Sequence, residues 1–199
     1  MTLLEEIPSE TFHEASIPVL ETERLTLRAP RLADAKTVAM LASDRRIAEN
    51  TARIPHPYKM EDAEGFITGA NKAGGECVYL ITKHNGAVVG ACGIVTQDDA
   101  PELGYWLGVE YWGKGYATEA LHALVDYAFT DLAHDALHAG ARVTNPASRR
   151  VLEKCGFQWT GVGLYRIKSI RSSAPIDRFR LERGIWSALK GWSALKRVS

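Results

Sequence analysis

One stretch limits this chain more than any other. In "ELGYWLGVEYWGKGYATEALHALVDYAF", residues 102 to 129, a strand-like run meets Gly113, Lys114 and Gly115 and passes directly into a helix. Ala117, Leu121, Leu124, Val125 and Ala128 fall on one helical face. Glycine loses more conformational freedom on folding than any other residue, so it tends to sit where a side chain would obstruct something. A strand, a tight turn and a helix leave the first helical N–H groups without partners, and the helix dipole adds about half a positive charge there. That end suits an anion: Gly113 and Gly115 admit a phosphate without a Cβ in the way, and Lys114 adds a mobile charge. The plainer reading is that the glycines only shape the turn. The GxxxxGK[ST] and GxGxxG phosphate loops are both absent, so neither nucleotide fold fits.

The surrounding pattern is mixed. "RLTLRAP" alternates Leu25 and Leu27 with polar residues and stops at Pro30, an opening strand. "ADAKTVAMLASD" and "EDAEGFITGANKAG" read as two helices, the second ending at Gly74, on either side of the rigid loop "RIPHPY". "ECVYLITK" and "VVGACGIVT" form a hairpin turned by Asn85-Gly86. After the strand and helix already quoted, "LHAGARVT" is a strand, and "PASRRVLEKCG" is a helix with proline in its first turn and glycine at its end. "FQWTG" and "DRFRLERGIW" supply further strands. The expectation is an α/β (α+β) single domain with a mixed, mostly antiparallel sheet.

Charge and cysteine content narrow the function classes. Lys plus Arg and Asp plus Glu both number 24, so no global field points to nucleic acid or to an anionic membrane. No apolar run approaches the roughly 18 residues of a membrane span, and the acidic start lacks the basic region of a secretory signal. Cys77, Cys92 and Cys155 are an odd, scattered set that reads as buried free thiols in a reducing cytoplasm. His134 and His138 lie four apart without a third ligand, so no metal is expected. Residues 1–20 read as an arm and 21–186 as the domain, with 187–199 as a tail. The tail carries an echo, "IWSALKGWSALK", that could extend a terminal helix, form a contact through Trp186 and Trp192, or be a cloning remnant.

"TERLTLRAP", "PYKMEDAEGFI", "ELGYWLGVEYWGKGYATEAL" and "NPASRRVLEKCGF" together resemble the GCN5-related N-acetyltransferases, in that family's order and spacing. Within the family they are most similar to the branch that acetylates ribosomal-protein N-termini. The resemblance implies the GNAT fold and acetyl-CoA as co-substrate, with the pyrophosphate held by Gly113, Lys114, Gly115, Tyr116, Ala117 and Thr118. It assigns Leu107, Gly108 and Val109 to pairing with the pantetheine amides, and Asn145 to the CoA arm. Trp112 stands where the usual signature has Gln or Arg, while Gly115 and Ala117 match it. Dimers are common in this branch, so a homodimer is a further expectation.

Two family groups are missing: the general-acid Tyr falls on Leu152, and the Glu base falls on Gly140. The remaining catalytic candidates are Ser148 and Glu102. Ser148 lies one helical turn from Asn145 and resembles the serine placed to protonate the thiolate; its other reading is helix entry. Glu102 opens the strand before the glycine turn, either as a base acting through water or as an exposed strand-start carboxylate. His56 and Tyr58 match the family's substrate-side wall, and "SIRSSAP", residues 169–175, reads as a flexible gate. The acceptor is a primary amine: a protein N-terminus, or a polyamine, amino sugar or antibiotic, for which Asp98 and Asp99 are an acidic pair near the rim. A non-catalytic acyl-CoA sensor is the reading from another class.

Overall fold

Leu25 and Leu27 are fully buried and their neighbours are not, so the alternation of the opening strand does set its inner face. The computed structural model describes residues 17–70, 76–97 and 100–195. In chain order the strands are β1 (Leu20–Glu21), β2 (Leu25–Arg28), β3 (Cys77–Lys83), β4 (Val88–Gln97), β5 (Ala100–Leu107), β6 (Ala136–Arg142), β7 (Gln158–Ile167) and β8 (Ser172–Glu182). The helices are α1 (Ala35–Ala42), α2 (Arg45–Asn50), α3 (Met60–Gly69), α4 (Tyr116–Thr130), α5 (Pro146–Lys154) and α6 (Arg183–Leu195). One 8-stranded sheet runs β1-β2-β3-β4-β5-β6-β8-β7, antiparallel throughout except between β5 and β6.

From β2 to β5 both faces of the sheet are covered. Leu25, Leu27, Tyr79, Ile81, Ile94 and Leu103 pack under Leu121, Leu124 and Val125 of α4. Leu80, Val88 and Ala91 pack against Val38 and Leu41 of α1 and Ala63 and Ile67 of α3 on the opposite face. Each Leu, Ile or Val among them contributes about 1.5–3 kcal/mol by leaving water, which is what holds the helices to a sheet of this length.

The feature that positions the site is the parallel pair. β5 and β6 are in register only at Glu102↔His138 and Leu103↔Ala139. Beyond that point β5 stays with β4 as far as Gly90↔Leu107, and β6 stays with β8 as far as Arg142↔Ile176. The two strands separate, and a wedge opens in the middle of the sheet.

Four expectations need correction. A third helix, α2, follows α1: it is six residues long, too short for a periodic apolar pattern, and is started by Asp44 accepting from the Arg46 N–H. α3 ends at Gly69, before the expected Gly74, which lies outside the described residues. The flexible gate does not exist as such, because Ser172–Pro175 pair with β7 and the Ser169 hydroxyl donates to the Ala48 carbonyl. "RGIW" is helical, and Trp186 faces inward: it packs on Phe129, and its indole N–H donates to Asp126. That side chain is held within the chain and is partly buried; the Trp192 side chain lies outside the described residues. No described helix is long and apolar enough to cross a membrane.

Candidate active site at the strand wedge

The glycine turn is built as the sequence suggests, for two reasons rather than one. Gly113 and Gly115 have φ of 74° and 80°, a left-handed backbone that disfavours any residue with a Cβ. Nothing lies within 4 Å of where a Gly113 Cβ would stand, so that side of the turn is open to a ligand. Gly115 caps α4 without a side-chain hydrogen bond, leaving the Tyr116, Ala117 and Thr118 N–H groups without helical acceptors. The Lys114 ammonium lies 5.7 Å from the centre of the Tyr111 ring.

An element far away in sequence clamps this turn. Glu119, in the first turn of α4, accepts from the Thr22 hydroxyl, the Arg24 N–H and the Arg24 guanidinium, at 2.7, 2.7 and 2.6 Å. The same guanidinium donates to the Lys114 carbonyl at 3.0 Å and lies 4.9 Å from the centre of the Tyr116 ring. Burial alone would raise the Glu119 carboxyl; the bonds from Thr22 and Arg24, with the Arg24 charge, outweigh it and hold the group below its ordinary value.

Two cavities open on the wedge, one of about 340 Å³ at the glycine turn and one of about 410 Å³ on the other side. Both are lined by Tyr105, Trp106 and Ser148, together with Asn50 and Thr51 at the end of α2. Leu107, Gly113, Gly115, Tyr116, Ala117, Thr118 and Asn145 line the first. Gly108, Val109 and Lys114 do not. The Gly108 N–H is bound to Val89 at 2.9 Å, which fixes the alternation along β5: even-numbered residues bond to β4, and the main-chain groups of Tyr105 and Leu107 face the wedge. The Leu107 carbonyl already accepts from the Trp112 indole at 2.8 Å, keeping one lone pair in reserve. Asn145 caps α5, its Oδ1 taking the Ser148 N–H at 3.1 Å, so its amide nitrogen is the atom left for a ligand. Arg150 and Lys154 add positive charge to this wall.

At the junction, the Tyr105 hydroxyl donates to Ser148 Oγ at 3.0 Å. Burial pushes the Tyr105 phenol up to about 12 despite the lowering effect of the Ser148 bond. Ser148 and Leu152 are one helical turn apart, so β5 delivers a phenol close to the position where the sequence lacks one. Glu102, on the wall of the second cavity, has Oε1 3.9 Å from where a Gly140 Cβ would stand. A carboxylate from β5 thus reaches the corner that Gly140 leaves bare. Tyr58 lines the same cavity, its phenol pushed up to about 12 by burial and the Asp62 charge; His56 does not line it. Asp98 and Asp99 are outside the described residues, and among those residues no three His, Cys, Asp or Glu gather.

Sequence reasoning missed Tyr105, the Arg24–Glu119 clamp and Arg142, which ends β6 in the second cavity. Tyr105 alternates in phase with Leu103 and Leu107, so it reads as one more inward residue; only the meeting of β5 and α5 reveals it. Nothing local in "TERL" announces a partner 95 residues away.

The family profile described as an acetyltransferase (GNAT) domain matches residues 24–158. Among curated relatives, the uncharacterized N-acetyltransferase p20 of Bacillus licheniformis is 33% identical over 149 residues, covering 72% of this chain and 84% of its own. An acetyltransferase crystal structure from Agrobacterium tumefaciens strain C58 aligns with a TM-score of 0.69 at 26% identity, over 84% of this chain and 95% of that one. The ribosomal L7/L12 alpha-N-protein acetyltransferase RimL, solved with coenzyme A, has the same fold with a TM-score of 0.72 at 18% identity, over 83% and 98% of the two chains. With the matched profile spanning the clamp, the glycine turn and both walls of the wedge, the chain belongs to the GNAT acetyltransferase family.

Proposed function

We propose that the protein transfers an acetyl group from acetyl-CoA to a primary α-amine, with both substrates bound at once. The observation that carries this reading is the junction: the cavity at the glycine turn and the cavity beside Glu102 meet at Tyr105 and Ser148. The first cavity has the donor set acetyl-CoA needs: free N–H groups at the start of α4 for the pyrophosphate, main-chain groups of Tyr105 and Leu107 for the pantetheine amides, and the Asn145 amide. Arg150 and Lys154 supply countercharge. Acetyl-CoA would supply an acyl carbon already activated as a thioester.

The chain's own groups divide the proton work. Glu102, on the acceptor side, takes the proton from the attacking amine, directly or through one water. Ser148 gives its hydroxyl proton to the departing sulfur and receives another from Tyr105, whose raised pKa keeps it a donor throughout the neutral range. The proton at Tyr105 is restored from solvent after turnover. With both roles filled from β5 and α5, the missing Tyr and Glu at Leu152 and Gly140 no longer favour a non-catalytic sensor.

An α-amine suits so modest a base. Deprotonating a lysine side chain at pH 7 costs about 4.6 kcal/mol, against about 1.4 kcal/mol for an α-amine of pKa near 8. A polypeptide N-terminus is the form of α-amine the sequence resemblance favours. A small amine is the second reading, favoured by a cavity of about 410 Å³, the size of a small-molecule site. Three buried free thiols fit a reducing cytoplasm.

Thiol release from acetyl-CoA, measured across peptides with free N-termini, polyamines and amino sugars, tests the reading. Release with an α-amine acceptor supports it. Acetyl-CoA binding with no release for any acceptor would favour the non-catalytic sensor reading instead.

A further inference from the structure

The acceptor cavity carries a positive charge for which acetyl transfer has no use. Arg142 lines that cavity at the end of β6. One terminal nitrogen donates to the Glu49 carbonyl at 2.6 Å, while its Nε is buried without a hydrogen-bond partner. Among the described residues it forms no ion pair, whereas Arg28 and Arg149, which are also partly buried, each hold a carboxylate. A partly buried guanidinium with no ion-pair partner and a buried, unbonded Nε leaves part of its charge unmet, and an anionic ligand would meet it.

The rest of the wall gives the ligand its shape. Phe66, Trp106, Tyr165 and Ile176 make the cavity mainly apolar. Glu102 marks the amine end, with its Oε1 beside Gly140. Arg142 follows Gly140 by two residues on the same face of β6, about 7 Å along the strand. An amine near Glu102 would therefore have a guanidinium within a few bonds' reach.

We propose that Arg142 binds a carboxylate carried by the acceptor close to its amine, on a molecule with a bulky apolar portion. This rests on the acetyltransferase reading and deepens it. Two sources share that chemistry: a free α-amino acid, through its α-carboxylate, and a peptide whose first residues include an acidic side chain. The planar fork of arginine suits a carboxylate bidentately, and with one nitrogen held by Glu49 it is already oriented.

The test compares acceptors with and without the carboxylate, each rate referred to the free-amine fraction because amidation also lowers the pKa of the neighbouring amine. One arm takes phenylalanine against phenylalanine amide; the other takes amidated peptides beginning Asp-Phe against Asn-Phe. Thiol release should favour the carboxylated member of one arm by about 10- to 100-fold in kcat/KM, the range of a hydrogen bond to a charged group. The arm that shows the preference names the source. Arg142→Gln should abolish the preference through KM, and Arg142→Lys should keep part of it. Equal use of both members in both arms by the wild-type protein overturns the inference and leaves the transferase reading intact. So does a preference that Arg142→Gln leaves unchanged in a folded protein that still binds acetyl-CoA. Thiol release from no acceptor at all overturns both.

Discussion

The Tyr105 hydroxyl stands 3.0 Å from Ser148 Oγ, joining β5 to the first turn of α5 at the point where two cavities meet. If Ser148 is the proton donor and Tyr105 replenishes it, the two act as a unit. Ser148→Ala should lower kcat about 100-fold, the lower range for a lost general acid, with little change in the KM for acetyl-CoA. Tyr105→Phe should cost about 10-fold, and the double variant little more than Ser148→Ala alone. Steady-state kinetics of the four proteins checks this; fully additive losses would separate the two residues.

The glycine turn offers a sharper test than most, because its two glycines differ. Gly113→Ala and Gly115→Ala each force a side chain into a left-handed backbone, a cost of about 1–2 kcal/mol. A Gly115 Cβ would also meet Arg24 at 3.3 Å, whereas a Gly113 Cβ would meet nothing of the protein. Any loss of acetyl-CoA affinity in Gly113→Ala, measured by calorimetry on folded protein, therefore comes from the ligand side. The expected outcome is such a loss, with modest destabilisation.

Glu119 should matter for stability although it lines neither cavity. Glu119→Gln keeps shape but weakens the bonds from Thr22 and Arg24, so about 1–2 kcal/mol of stability should be lost. The guanidinium contribution is small, since the Arg24 side chain is 47% exposed. The folded Glu119 carboxyl is held below 4.5, its ordinary value. Its stabilisation is therefore complete above that value and fades as pH falls through the lower folded one. Acid unfolding curves of wild type and Glu119→Gln should converge at the acid end and separate above it.

Much of this was legible beforehand, and the misses share a cause. The hairpin at Asn85-Gly86, the α4 face and the Pro146 start of α5 follow from local rules, because each is settled by neighbours a few residues away. The glycine turn was legible for the same reason: a helix start and two glycines are adjacent in sequence. Tyr105 and Arg142 were not, because their roles depend on β5 and β6 parting after Leu103↔Ala139, and no pattern within either strand records that separation. The resemblance treats Leu107, Gly108 and Val109 as one block, yet alternation divides them: Gly108 bonds to β4, and the wedge-facing groups belong to Tyr105 and Leu107. Trp186 reads as a surface aromatic in the sequence, because nothing local marks "RGIW" as the start of a helix.

Its burial against Phe129 yields a prediction as well. Trp186→Ala should destabilise the protein by about 2–3 kcal/mol, less than a fully buried Trp because the site is partly open. Sedimentation of the variant should match wild type. A changed oligomeric state would show that this face serves a partner copy instead.

The central claim is direct transfer across the wedge. The measurement that meets it most squarely is mass analysis of enzyme and acceptor after a single turnover with limiting acetyl-CoA. The account predicts one acetyl on the acceptor's α-nitrogen, none on the protein, and the same products formed far more slowly by Glu102→Gln. An acetyl group left on the protein, at Ser148 above all, or free thiol without an acetylated acceptor, would contradict it.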